Sequence, residues 1–383
     1  MKMIHILLVL FAGLTSFLGW SNTQLRLKGT IGKATVYLEL SGEGTEYFGR
    51  YYYKNQLIDI PLKGALKSGV YSFETNYDEF YGSPEIKEFL VFKKSGEKYI
   101  GNWSRNGKRL SVSFTVIKPN EFVSKRLANN PVLHELKLSG IDLFKLDLFK
   151  LSGKDSVIID QGLTWRSFTE THTGLEMPRI DSGLPDGKQK VANQYLERTH
   201  IQRFLEMLDC SAAGGELTDF GYSYSIEVID ESILSMSFFN YFMCVGMMHP
   251  EEANYAVIID LEQGEELKNK DFLNENAFEM DQDENEAFQV LVYNYFKKTL
   301  PELFDETTEE EAKLSGDDCE FNRIELWTAD MEMHLTRDGL KLLPYFPHIM
   351  APCLEPEWAV VPYIELKDLL KESYYTRLVG IKH

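Results

Sequence analysis

FLVFKKSGEKYIGNWSRNGKRLSVSFTV, residues 89–116, reads as three short strands cut by two turns. Lys94-Ser95-Gly96-Glu97 and Asn106-Gly107 are the turns, and large and polar side chains alternate between them. Alternation at period two sends one face of each strand inward and the other to solvent. The same pattern runs from Leu25 to Lys118. It is punctuated by Thr30-Ile31-Gly32, Ser41-Gly42-Glu43-Gly44, Lys54-Asn55-Gln56, Lys67-Ser68-Gly69 and Tyr81-Gly82-Ser83-Pro84. Seven turns imply about eight strands, the count of a small up-and-down antiparallel barrel. Tyr51-Tyr52-Tyr53, Phe73, Phe89, Phe92, Tyr99, Trp103 and Phe114 supply large rings, read as core rather than as a ligand cage, with Tyr51, Tyr53 and one face of each later strand inside. Tyr47-Phe48-Gly49-Arg50-Tyr51 and Tyr99-Ile100-Gly101-Asn102-Trp103 share one aromatic-x-Gly-x-aromatic pattern, a weak repeat of a hairpin unit. Asn102-Trp103-Ser104 also matches a glycosylation sequon.

Pro119 opens a connector, and the pattern then changes. Glu121 to Asn130 reads as a short helix or linker and Val132 to Phe149 as strands. Lys188 to Asp209 has the apolar spacing of an amphipathic helix. Strands are expected over Phe220–Ile229, Ile233–Val245 and Tyr255–Leu261, then a helix over Glu284–Leu300. Strands return at Glu325–Thr336 and Leu340–Phe346, with a short helix over Tyr363–Lys371. Strand runs interrupted by separate helices make the class α+β, with helices packed on an antiparallel sheet. The expected organisation is a signal peptide over 1–21, an all-β barrel-like domain over 22–120 and an α+β domain over 121–383.

Lys2, an apolar run from Met3 to Leu18, and the small or polar Gly19 and Ser21 describe a secretory signal peptide. The run is too short for a membrane span and no similar run follows, so the expected mature chain is secreted or periplasmic, without a transmembrane segment. Its 383 residues carry a net charge of −19. Residues 22–120 hold 15 Lys and Arg against 10 Asp and Glu, whereas Asp260 to Glu320 holds 5 against 20. Nucleic acid is a poor partner for such a chain, and a cationic partner is electrostatically favoured. Four cysteines in an oxidising compartment point to disulfides. Cys210 and Cys244 flank one expected hairpin and Cys319 and Cys353 another, so these two local pairs are the favoured pairing of the three that four cysteines allow.

Several short motifs follow one another in the second half. They are Val245-Gly246-Met247-Met248-His249-Pro250, Asp260-Leu261-Glu262-Gln263-Gly264, Leu335-Thr336-Arg337-Asp338-Gly339-Leu340 and Val361-Pro362-Tyr363 with Leu366, Leu369 and Leu370. Their order resembles the RsiV-like extracytoplasmic domain over residues 133–370. That domain occurs in the anti-sigma factor RsiV, where it binds lysozyme, and in the peptidoglycan deacetylase PdaC. The resemblance implies a binding or sensing role at the cell envelope, with lysozyme or peptidoglycan as partner classes. The family's Gly-Gly-Ala-His turn maps onto Gly246 to His249, where Met247 and Met248 replace the two central residues.

No Gly-x-Ser-x-Gly, His-Glu-x-x-His or phosphate loop occurs, so no catalytic residue, metal ligand or cofactor is assigned. Asp281-Gln282-Asp283-Glu284-Asn285 begins like a calcium loop, but Glu286 stands where glycine is needed. His249, beside Pro250 in a tight turn, is the candidate acid, base or ligand contact. Met247 and Met248 beside it offer an adaptable contact surface. Glu355, Glu357 and Trp358 are weaker candidates for a carbohydrate site. The leading expectation is a non-enzymatic envelope binding protein, and the alternative is an envelope hydrolase without a recognisable motif. Exported protein should lack about its first 21 residues, and intact-mass measurement of envelope-extracted protein checks this.

Overall fold

The structure is a computed structural model. It describes residues 23–75, 87–118, 121, 124–138, 140–154, 158–160, 162–211, 220–230, 232–244, 251–278, 287–304, 321–344 and 356–380. The chain divides into two compact units, Met1–Phe122 and Val123–His383. The expected signal peptide lies outside the described residues.

The first unit is a closed antiparallel barrel of eight strands in sequence order. They are β1 (Thr23–Ile31), β2 (Ala34–Glu43), β3 (Glu46–Tyr53), β4 (Ile60–Lys67), β5 (Val70–Thr75), β6 (Phe89–Ser95), β7 (Lys98–Arg105) and β8 (Lys108–Val116). Strand β1 pairs with both β2 and β8, so the sheet has no free edge. The interior is filled by side chains such as Leu38, Tyr51, Phe73, Phe92 and Phe114. Closing so small a barrel forces the strands to coil sharply, and inward-facing glycines permit it. Gly64 faces Phe73 across β4 and β5, and Gly101 faces Phe92 across β6 and β7. A Cβ at Gly64 would lie 2.1 Å from the Ser72 carbonyl oxygen, and one at Gly101 would lie 2.0 Å from that of Val91.

The two aromatic-x-Gly-x-aromatic segments form β3 and β7. Their last rings meet on one carboxylate. Tyr51 donates its hydroxyl to Glu88, and Trp103 donates Nε1–H to Glu88 Oε2 at 2.9 Å. Arg105 donates to Glu88 Oε1 at 2.9 Å. Glu88 is buried, and burial pushes the Tyr51 phenol well above its ordinary pKa, so it remains a donor.

The second unit begins with helices where strands were expected. Residues 132–149 hold a 3-10 helix, Pro131–Leu136, and α2 (Asp142–Leu148), preceded by α1 (Lys125–Asn129). Pro131 at the first helical position and the Asn130 side chain, which accepts from Val132 N at 3.2 Å, are helix-start signals that outweigh the leucine alternation. Four strands that the sequence pattern did not show follow: β9 (Leu151–Gly153), β10 (Ile158–Asp160), β11 (Leu163–Glu170) and β12 (Glu176–Ser182). The long α3 (Asp186–Cys210) buries Ala192, Leu196, Thr199, Phe204 and Leu208 on one face. Asn193 of α3 pairs with both backbone groups of Ile180 at 2.8 Å, closing the β12 edge as another strand would.

The central sheet is β13 (Phe220–Asp230), β14 (Ile233–Phe242), β15 (Glu251–Asp260) and β16 (Glu265–Leu267), all antiparallel. One face packs Leu234, Met236, Phe238, Val257 and Ile259 with residues of β11, β12 and α3. The other brings Ile233 and Ile258 into a core with α4 (Asn269–Phe272), α5 (Ala287–Thr299) and strands β17 (Glu332–Leu335), β18 (Leu340–Leu343) and β19 (Val360–Val361). The terminal helix α6 (Glu372–Val379) joins that core through Tyr374 and Leu378. The class is therefore α+β, mostly sheet. Gly64→Ala should cost about 3 kcal/mol or more, and Gly187→Ala, whose Cβ would touch nothing within 4 Å, should cost nothing. Urea midpoints of the full chain, followed by near-ultraviolet circular dichroism, check both.

Candidate functional site

Three of the sequence candidates, His249, Met247 and Met248, lie outside the described residues, as do Cys319, Cys353, Glu355 and the calcium-like run 281–285. Cys210 and Cys244 are joined by a disulfide with a Cα–Cα distance of 4.6 Å. It ties the end of α3 to the residues after β14, directly ahead of the His249 segment in sequence. Trp358 is half-buried and packs against the core, with ring centroids 4.8 Å from Phe321 and 5.2 Å from Phe296, while Glu357 is exposed.

Near the disulfide, α3 and the central sheet enclose a polar aromatic cluster. The Arg203 guanidinium lies 3.7 Å from the Tyr255 ring centroid and pairs with Glu206 at 2.5 Å. Tyr222 and Tyr255 share a hydroxyl–hydroxyl hydrogen bond of 2.8 Å. Phe238 stacks on Tyr255 at 4.7 Å. Burial pushes both phenols up, so they stay neutral donors across the physiological range. Asn240, directly opposite Tyr222 in the β13–β14 register, is buried, and its Oδ1 has no hydrogen-bond partner. The cluster gathers two phenols and an arginine in one enclosed place. Its phenols are held far from the ionisation a nucleophile or base needs.

Two buried histidines lie elsewhere in this unit. Ser235 Oγ and His334 Nδ1 are 3.2 Å apart, a spacing that suits a nucleophile and its base. Their exposures are 0% and 2%, so substrate has no approach and the pair satisfies polar atoms between sheets. Burial, with the Lys341 charge adding to it, pushes His334 down to about 4. His200 on α3 lies 3.0 Å from the Leu175 carbonyl oxygen through Nε2 and 3.4 Å from the Arg179 guanidinium through Nδ1. Burial and the Arg179 charge push it down to about 3. Arg126 binds the neighbouring Glu197 carboxylate and the Phe149 carbonyl oxygen, fixing α1 against α3.

The family-like motifs act mainly as turn chemistry. Asp260 accepts from the backbone N–H of Glu262 at 2.8 Å and of Gln263 at 3.0 Å, and Gly264 takes φ 72°. Thr336 Oγ1 accepts from Gly339 N at 3.2 Å, while Tyr363 donates to the Thr336 carbonyl oxygen at 2.6 Å. On the barrel, a shallow cleft of about 390 Å³ is lined by Lys33, Ala34, Thr35, Tyr53, Asn55 and Gln56. Among the described residues no group of three His, Cys, Asp or Glu is placed to hold a metal ion, and no helix is long and apolar enough to cross a membrane.

No protein family model matches the chain, and no curated protein does. Among solved structures, the chain is similar to a DUF3298 family protein from Pseudomonas aeruginosa PAO1. The identity is 12%, the match covers 60% of this chain and 94% of that one, and the TM-score is 0.34.

The two histidines generate a pH dependence. In the unfolded chain each takes up a proton below about pH 6.5, and in the folded chain neither does until near pH 4 or below. The unfolded state therefore binds more protons in that window, and stability falls as the pH drops from about 6.5 towards 4, by up to about 1.4 kcal/mol per histidine per pH unit. Most carboxylates titrate lower, so the slope between pH 6.5 and 5 belongs chiefly to the histidines. Urea titrations at pH 7, 6 and 5 should show it, and replacing His200 and His334 with Gln should flatten it.

Proposed function

We propose that the chain is an exported, non-enzymatic binding protein of the cell envelope whose second unit recognises a cationic partner. The observation that carries this reading is the charge of that unit. Residues 123–383 hold 24 Lys and Arg against 48 Asp and Glu. Glu265, Glu275 and Glu302 are exposed and, among the described residues, lack an ion-pair partner. A surface of this kind steers a positively charged protein towards it and speeds association. The RsiV-like motif order supports a small basic protein such as lysozyme as the partner, and it supports the extracytoplasmic location that the Lys2-led apolar run suggests. Peptidoglycan is the second partner class that the same motif order favours. The donor-rich Arg203–Tyr222–Tyr255 cluster lies between α3 and the central sheet, two elements whose ends the Cys210–Cys244 disulfide joins.

The test is association of the purified mature chain with lysozyme, followed by surface-bound kinetics across ionic strength. The on-rate should fall steeply between 0.05 and 0.3 M salt, because the Debye length is only about 8 Å at 0.15 M. Replacing Glu265, Glu275 and Glu302 with Gln should weaken binding modestly, since each exposed charge contributes at most about 1 kcal/mol. Salt-independent binding, or none, contradicts the reading. Multiple-turnover cleavage of peptidoglycan that is lost in His249→Ala would replace it with the hydrolase.

A further inference from the structure

The outer wall of the barrel across β6, β7 and β8 has a composition that a merely solvated wall does not need. The register sets its outward side chains in rows. Phe89, Ser104 and Arg109 form one row, and Val91, Asn102 and Ser111 the next. Below them come Lys93, Ile100 and Ser113, then Ser95, Lys98 and Thr115. Phe89, Val91 and Ile100 are 45%, 39% and 42% exposed. Phe89 and Val91 are two residues apart on one strand, about 6.8 Å, and Ile100 is the diagonal neighbour of Val91. They therefore form one apolar strip. A single exposed apolar residue is ordinary, but a contiguous strip marks an interaction surface.

The remaining positions are hydroxyls, one amide and cations. Every formal charge in these rows is positive. Among the described residues Lys93, Lys98 and Arg109 have no ion-pair partner. Among the described residues the flanking acids are engaged or lie outside the rows: Glu74, opposite Phe89 on β5, is paired with Lys87 at 3.1 Å, Glu88 is buried against Arg105, Glu121 is paired with Lys28, and Glu97 sits in the β6–β7 turn. Elsewhere on the barrel arginines are neutralised, as Arg26 is by Glu39 and Arg50 by Asp59.

We propose that this wall binds an extended anionic polysaccharide. Phe89 and the adjoining aliphatics would pack the C–H faces of sugar rings. Asn102, Ser104 and Ser111 would meet the sugar hydroxyls, and Lys93, Lys98 and Arg109 the uronate or phosphate groups. A polymer suits the geometry because the apolar strip starts at the first residue of β6 and runs down the wall of a closed barrel, alongside the polar and cationic rows. A membrane-inserting surface would instead carry it on protruding loop tips. The site is separate from the acidic surface of the second unit and has the opposite charge preference.

The experiment uses the full mature chain and four immobilised probes: polygalacturonate, phosphorylated mannan, neutral dextran, and vesicles containing phosphatidylglycerol. Binding to either anionic polymer and not to dextran is expected, and the pair tells uronate from phosphate recognition. Lys93→Gln with Lys98→Gln and Arg109→Gln should weaken that binding about tenfold or more. Phe89→Ser should weaken it several-fold at unchanged salt dependence. Phe48→Ser with Lys63→Gln is the control, because it removes an equally exposed ring and its cation 5.8 Å away from a different wall. Circular dichroism confirms that each variant keeps the barrel. Equal loss in the control, equal binding to dextran, binding to vesicles alone, or binding to no probe each overturns the proposal. Lysozyme association should be unaffected by these variants, so failure here is distinguishable from failure of the charge-steered reading.

Discussion

From Ile233 to Phe238 every residue of β14 is buried, and a strand with no solvent face must satisfy two cores at once. Its even-numbered residues pack towards α3 and β11–β12, and Ile233 packs towards the β17–β19 core. The polar residues that fall on the second face are then obliged to find partners. Ser235 is met by His334 and Ser237 by Ser225. The pair that most resembles catalytic machinery is thus a consequence of layering. The disulfide from Cys210 to Cys244 fixes the far end of the same strand to α3. The Arg203–Tyr222–Tyr255 cluster therefore rests on an element that cannot shift without disturbing both cores.

The barrel depends on a different constraint. Its rings are too large to share the interior with side chains at every inward position, so glycine takes the positions facing Phe73 and Phe92. The resulting interior is filled by side chains and leaves no ligand-sized space between the facing strands at these positions. One buried carboxylate, Glu88, collects donors from β3 and β7, a polar link between two strands that are not neighbours in the sheet.

The two units also divide the chemistry. The barrel is mildly basic with apolar side chains on its wall, and the second unit is strongly acidic with an enclosed tyrosine–arginine cluster. Charges of opposite sign on separate units suit two kinds of partner better than one. Neither unit brings a nucleophile, a base near neutrality and an open approach together among its described residues.

The period-two alternation, the seven turn signals and the ring-bearing segments made the eight-strand barrel legible, because each hairpin is local and its glycine turns are written in adjacent residues. Helix α3 was legible for the same reason, through its apolar spacing. The helices between Pro131 and Leu148 were misread because leucines spaced by two and by three coexist there, and only the Asn130 cap and Pro131 tell them apart. Strands β9 to β12 carry weak local patterns, and their pairing with one another and against α3 is what defines them. The candidate residues divide likewise. Cysteine spacing pointed to the Cys210–Cys244 bond, but nothing local joins Arg203, Tyr222 and Tyr255, which come from a helix and two strands. Their meeting, like the burial that silences His334 and the register that lines up Phe89, Val91 and Ile100, is set by long-range pairing that no single stretch of sequence contains.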